Sequence, residues 1–360
     1  MGEDRITVDF VGKVGEKSGI GNYATKLFHE LKEVEDLEVR KKEPSWDFPI
    51  FHRIDVINRK LQNFIEIPFK ALRSDSDIFY VTSQRKTSGL VFLPKKKLGN
   101  VVATVHDIEP YVNSSMGKPT QLIAEFYARA VKKLENIIAI SESTSRELQE
   151  ALGIEEEKIT VIYQGVDQEY FQPREPEEEV LEKYGVERPY LVYVGSEIPR
   201  KNIEGTMQKF SELQEKHTEL KLVKVGTAGE NYRKETLEYI EENNLEKGED
   251  VVFTGFVDEE DLPQVYSSAE ATLLLSTHEG LGRPLMESLA CGTPVLANDI
   301  DPMNEILPED MLVDLESKED FIQKYEERNQ DRERNRSLIK EYSWKKTAEE
   351  TAEVFRKIVQ

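Results

Sequence analysis

At 360 residues, 33% charged and 38% hydrophobic, the chain has the length of two ordinary domains and a folded rather than a disordered composition. Its net charge of −22 argues against broad nucleic-acid binding, which needs a basic face. A single cysteine, Cys291, excludes an internal disulfide and a thiolate zinc site, five scattered histidines give no histidine-rich metal site, and no apolar run reaches membrane-spanning length.

Taken in order, the chain alternates short β-branched runs with longer amphipathic stretches. Ile6–Val11 reads as a strand and residues 23–34 as a helix. Ile78–Val81 and Val101–Val105 are apolar runs of strand length, then 119–134 is helical, 137–140 extended, 143–151 helical and 159–162 extended. An acidic, proline-bearing stretch at 174–182 suits a solvated linker. The pattern then restarts, with strands at Tyr190–Val194, Lys221–Val225, 251–254, 271–275 and 294–297. Helices at 203–217, 233–243, 259–268 and Arg283–Ala290 lie between them. This alternation predicts an α/β protein with two doubly wound parallel sheets in series. Trp344–Val359 closes the chain as an amphipathic helix, with Trp344, Thr347, Ala348, Thr351, Ala352, Phe355 and Ile358 on one face.

Charge is unevenly spread. Residues 1–150 carry 23 basic and 22 acidic side chains, whereas 151–360 carry 25 and 48. Residues 51–100 hold 10 basic against 4 acidic, including Arg53, Arg59, Lys60, Lys70, Arg73 and Lys95-Lys96-Lys97, interleaved with Phe64, Ile65, Ile67, Phe69 and the run 90–93. That mixture suits a lipid-linked acceptor at an anionic membrane, or equally a core with solvated lysines around it. The start of the chain shows no basic-then-apolar leader pattern, so a cytoplasmic setting is expected.

Four segments carry candidate chemistry. Gly19-Ile20-Gly21-Asn22-Tyr23 falls between the first strand and the first helix, where Gly19 and Gly21 let a ligand approach the backbone. A tight turn without ligand fits as well. His106-Asp107 ends an apolar run, where α/β sheets collect ligands; a structural histidine fits equally. Gly195-Ser196-Glu197-Ile198-Pro199-Arg200-Lys201-Asn202 sets two cations in a strand-to-helix loop of an acidic half, which suits a diphosphate or a solvated basic pair. His278-Glu279-Gly280-Leu281-Gly282-Arg283-Pro284-Leu285-Met286-Glu287 leads from an apolar strand through a glycine loop into a helix. The Leu281 and Gly282 amides and the helix dipole make an anion seat, with carboxylates suited to sugar hydroxyls on either side.

This last segment, followed by Ala290-Cys291-Gly292-Thr293-Pro294-Val295, resembles the Glu-x7-Glu motif of the family 4 retaining glycosyltransferases. Gln164-Gly165-Val166-Asp167 and Gly255-Phe256-Val257 resemble further family segments, so the likeness spans nearly the whole chain. It implies the GT-B fold, two Rossmann-like domains facing a cleft. Residues 1–170 would take the acceptor, joined by a return helix at 344–360, and 171–343 would hold a nucleotide-sugar donor such as a GDP- or UDP-hexose. It implies that Glu287 accepts from the donor ribose and that Glu279 approaches the sugar. Gly280, Leu281 and Gly282 would contact sugar and phosphate, Lys201 the diphosphate, and Val257 would lie in the base-binding loop. His106 matches the N-domain histidine near the sugar. Where the family often has an arginine this chain has Ser196, and Arg200 is expected to supply that charge. The expected activity is metal-independent, cofactor-free, retaining transfer of a mannose- or glucose-type hexose to a glycan or lipid-linked acceptor. A degenerate donor-binding partner subunit and a nucleotide-sugar epimerase of the same fold are the alternatives.

Overall fold

The computed structural model describes residues 5–13, 18–44, 61–112, 118–227 and 230–360. The chain divides into two compact units: Met1–Gly165 with Trp344–Gln360, and Val166–Ser343. Each holds one six-stranded sheet with all described strand pairs parallel.

In the first unit the strands are β1 (Ile6–Val11), β2 (Leu37–Lys41), β3 (Ile78–Val81), β4 (Val101–Val105), β5 (Asn136–Ala139) and β6 (Ile159–Val161), in the order β2-β1-β3-β4-β5-β6. The central strands β3 and β4 are buried throughout, as parallel strands covered on both faces must be. β2, with the sequence Leu-Glu-Val-Arg-Lys, escapes the sequence reading because it is a largely polar edge strand. The final helix Trp344–Val359 belongs to this unit. Its buried face presents Trp344, Ala348, Ala352 and Phe355 to a core shared with Phe10, Tyr23 and Tyr80. Arg356 adds a two-point ion pair with Asp36 at 2.7 and 2.8 Å.

The basic segment resolves into two kinds of residue. Arg53, Arg59 and Lys60 lie outside the described residues. Ile67, Leu90 and Leu93 are core, whereas Ile65, Phe69, Leu72 and Phe92 are exposed, Phe92 to 66%. Several of the cations are neutralised locally: Lys70 pairs with buried Glu66 at 2.8 Å and Lys95 with Glu135 at 2.6 Å. Arg73 lies over the Phe69 ring, 4.1 Å from its centroid. Among the described residues, no helix is long and apolar enough to cross a membrane.

The second unit contains β7 (Tyr190–Val194), β8 (Lys221–Val225), β9 (Val251–Gly255), β10 (Ala271–Leu274), β11 (Val295–Asn298) and β12 (Leu312–Val313), in the order β12-β11-β10-β7-β8-β9. The expected solvated linker is only partly that. Glu178–Lys183 is helical and buries Leu181, and Lys183 binds Asp258 and Asp261 at 2.8 and 2.7 Å. One apolar side chain and one ion-pair anchor are enough to dock this acidic turn on its unit.

Candidate active site

The order of the second sheet reverses beside β7: β8 and β9 continue on one side, β10 to β12 on the other. Ligands of open α/β sheets collect outside the carboxyl ends of the strands at such a reversal. The loops leaving β7 and β10 at this point are the Arg200-Lys201 loop and the Glu279 loop. The backbone ties them together: Thr277 N–H donates to the Arg200 carbonyl at 2.8 Å, and Asn202 Nδ2 donates to the Leu275 carbonyl at 2.9 Å. Asn202 holds a left-handed conformation, φ 49°, and caps the helix Ile203–Gln214 by accepting from Gly205 N.

Glu279 joins the two cations that the sequence assigns to phosphate. Lys201 Nζ donates to its Oε1, and Arg200 Nη1 to its Oε2 at 3.1 Å. Ser276 Oγ also donates to Oε1, at 2.8 Å, and Arg200 Nη1 reaches the His278 carbonyl at 3.1 Å. Glu279 and Lys201 are both buried. Burial pushes the Glu279 carboxyl up, but the charges of Lys201 and Arg200 with the Lys201 and Ser276 hydrogen bonds outweigh it and hold the carboxyl below its ordinary value. The fold brings the two cations and the carboxylate into one ionic cluster.

The helix Arg283–Ala290 starts just beyond Glu279. Gly282 is its N-cap at φ 83°, a left-handed conformation that strains any other L residue, and Pro284 sits in its first turn. Leu281 and Gly282 are buried and Gly280 half-buried. One turn inside, buried Glu287 accepts from Arg283 Nε at 2.7 Å and from Tyr266 hydroxyl at 3.0 Å. Each carboxylate oxygen has a further lone pair for a hydroxyl. Arg283 could have been read from its four-residue spacing to Glu287; Tyr266 lies 21 residues away and left no signal.

Around β7, β8 and β9 the strand ends crowd together. Gly226 N donates to the Gly255 carbonyl at 2.7 Å, and a Cβ on Gly226 would meet the Gly195 carbonyl oxygen at 2.8 Å. Val257 is buried beyond this rim, next to exposed Phe256. Ser196 presents its carbonyl to the Tyr193 hydroxyl at 3.0 Å. The next residue, Glu197, is buried and binds Lys224 at 2.8 Å, Arg233 at 2.5 Å and Thr236 at 2.8 Å. The sequence reading missed this network, although Lys224, a charge set between the valines of the Lys221–Val225 strand, was a usable signal.

In the first unit, His106 follows β4. Its Nε2 donates to the Thr82 carbonyl at 2.9 Å; because a carbonyl can only accept, the proton is on Nε2 and Nδ1 is the basic nitrogen. Gln84 holds the backbone on both sides, accepting from His106 N at 3.2 Å and donating to the Asp107 carbonyl at 2.7 Å. Burial, only partly offset by the Thr82 hydrogen bond and the Asp107 charge, lowers the imidazole pKa from 6.5 to about 4. His106 is therefore neutral at physiological pH. The stability tied to this neutral state is full above about pH 6.5 and lost as pH falls toward 4, because the unfolded chain takes up the proton first. Denaturant midpoints at pH 7.5 and 4.5 should fall further for the wild type than for His106→Gln. Equal falls would remove His106 as the cause.

Gly19 and Gly21 are not in a loop. The helix begins at Gly19 because Ser18 caps it, accepting from Gly21 N at 3.0 Å, so that amide is already engaged. A Cβ on Gly19 would meet nothing within 4 Å, so no close approach demands glycine there.

Residues 27–170 match the profile of the family described as Glycosyltransferase Family 4, and residues 176–344 that of Glycosyl transferases group 1. O-antigen chain mannosyltransferase B of Escherichia coli is 25% identical over 248 residues, 68% of this chain and 62% of that protein. Serotype-specific mannosyltransferase WbdA of Escherichia coli is 27% identical over 312 residues, 79% of this chain and 37% of that protein. The chain thus spans less than two thirds of the length of either relative. Among solved structures, HepE of Anabaena in complex with UDP and glucose shares the fold at TM-score 0.73 and 16% identity, covering 98% of this chain and all of that one. With the two profiles matched in succession and two six-stranded parallel sheets in the same sequence of units, the chain belongs to the family 4-type glycosyltransferases of GT-B fold.

Proposed function

We propose that the protein is a retaining, metal-independent hexosyltransferase that moves a mannose-type sugar from a nucleoside diphosphate to a glycan or lipid-linked acceptor. The observation that carries this reading is the Lys201–Glu279–Arg200 cluster at the reversal point of the second sheet. Two cations there suit the charge that develops on a departing diphosphate, a task that electrostatic preorganisation performs without a metal. Glu287 accepts from the donor ribose, and the Gly280, Leu281 and Gly282 loop faces sugar and phosphate. The bond from the anomeric carbon to the β-phosphate oxygen breaks, and the acceptor oxygen bonds that carbon on the same face. The acceptor proton passes to the departing phosphate. Mannosyltransferase relatives support the sugar class, and the UDP and glucose bound to HepE support a nucleotide-sugar donor.

The exposed Ile65, Phe69, Leu72 and Phe92, with Arg73, Lys96 and Lys97 on the same stretch of chain, support an acceptor presented at an anionic membrane. A transfer assay tests the whole reading. GDP-mannose, UDP-glucose and UDP-galactose are offered with soluble mannosides and with polyprenyl-linked glycans in anionic vesicles. Chelator-resistant transfer from one donor, with the anomeric configuration kept, is the expected result. Donor binding without transfer to any acceptor class would favour the degenerate partner subunit, and inverted product would overturn the mechanism.

A further inference from the structure

Arg233 sits in the first turn of the helix Glu230–Glu242, which follows β8. In a parallel sheet that turn lies at the same carboxyl-end rim as the loops after β7 and β10. Its guanidinium carbon stands 4.1 Å from the centroid of Phe253 on β9, and its Nη2 binds Glu197 at 2.5 Å. Its Nε is buried without an acceptor, and its side chain is 27% exposed. Glu197 is held independently by Lys224, which also donates to the Gly226 carbonyl at 2.9 Å, and by the Thr236 hydroxyl. Removing Arg233 from Glu197 therefore leaves that carboxylate with a buried cation and a hydroxyl.

The charge of the rim points to a ligand. Arg200, Lys201, Lys224 and Arg233 face two carboxylates, Glu197 and Glu279. Two positive charges remain, in a half of the chain with 25 basic and 48 acidic residues. A nucleoside diphosphate sugar carries two negative charges across its bridge. The two clusters are close: the Tyr193 hydroxyl, raised by its burial, is raised further by both Glu279 and Glu197. Ser196, whose carbonyl Tyr193 holds, brings no charge of its own.

We propose that Arg233 is a diphosphate-binding residue of the donor site, held ready on Phe253 and Glu197 and turned to the bridging phosphates when the donor enters. The proposal rests on the donor-site reading above. Lys201 stabilises the phosphate that leaves; Arg233 provides the planar fork that grips two phosphate oxygens at once.

Calorimetry with UDP, GDP, UMP and GMP separates the two. Wild-type protein is expected to bind one diphosphate about tenfold to a hundredfold more tightly than its monophosphate, the range of a charge-assisted contact. In Arg233→Ala that ratio should fall several-fold, toward what Lys201 and Arg200 alone supply, with monophosphate affinity unchanged, a pattern that general loosening of the fold does not give. Arg233→Lys should keep part of the ratio and guards against a poorly folded alanine variant. Lys234→Ala, the exposed neighbour paired with Glu238, should keep all of it. An unchanged ratio in Arg233→Ala and Arg233→Lys overturns the role of Arg233 while leaving the donor site standing. Wild-type protein that binds no nucleotide overturns the donor site and the proposal together.

Discussion

Lys201→Ala is expected to lower kcat by roughly thirtyfold to a thousandfold, the ~2–4 kcal/mol lost when a preorganised cation is removed from developing charge. The ammonium is buried and fixed: Lys201 ends the 3-10 turn Pro199–Lys201, its loop is pinned by Asn202 and Thr277, and Glu279 holds its head. A charge this constrained needs little reorganisation when the phosphate departs. Because the loss concerns the transition state, kcat should fall while donor KM changes little. Arg200→Ala should fall in the same direction, since its guanidinium shares the same carboxylate. Steady-state kinetics with the donor that the transfer assay selects decide it. Unchanged kcat in Lys201→Ala would move the site of charge stabilisation elsewhere on the rim.

What the sequence revealed depends on how far apart the cooperating residues lie. The alternation of β-branched runs and amphipathic stretches is local, so it located ten of the twelve strands among the described residues and the restart between the two units. It missed β2, whose edge position lets polar residues stand in a strand, and β12, which has two residues. It started the first helix too late because it took Gly19 and Gly21 as loop glycines, and did not give Ser18 its role as cap. The Glu-x7-Glu segment was legible because glycines, proline and carboxylates cluster within one loop and one helix. The pairing of Glu279 with Lys201 was not, because 78 residues separate them and contact is made only when β10 lies beside β7. The apolar residues of 62–93 were similarly ambiguous: alternation cannot say that Ile67 and Leu90 face the core while Ile65 and Phe92 face water.

Removing the central carboxylate should separate stability from binding. Glu279→Ala leaves Lys201 and Arg200 facing one another without their shared partner, and breaking a buried pair of this kind costs about 3–5 kcal/mol. Glu279→Gln should cost less, because the amide oxygen can still accept from one of them. The wild-type term has a pH signature. A carboxyl held below its ordinary value stabilises the fold above the unfolded pKa near 4.5, and that contribution is lost as pH falls through the lower folded value. Denaturant melts of wild type and Glu279→Ala should therefore converge under acid. A nucleoside diphosphate changes the balance. If phosphate and Glu279 compete for the same two cations, the variant offers them uncontested, and UDP or GDP should raise its melting temperature more than it raises that of the wild type. Turnover should nonetheless fall, because the same carboxylate aligns the two cations. Destabilised protein, undiminished nucleotide binding and lost turnover together identify Glu279 as the organiser of the cluster. Nucleotide affinity that falls in step with turnover would instead make it a simple ground-state binding residue.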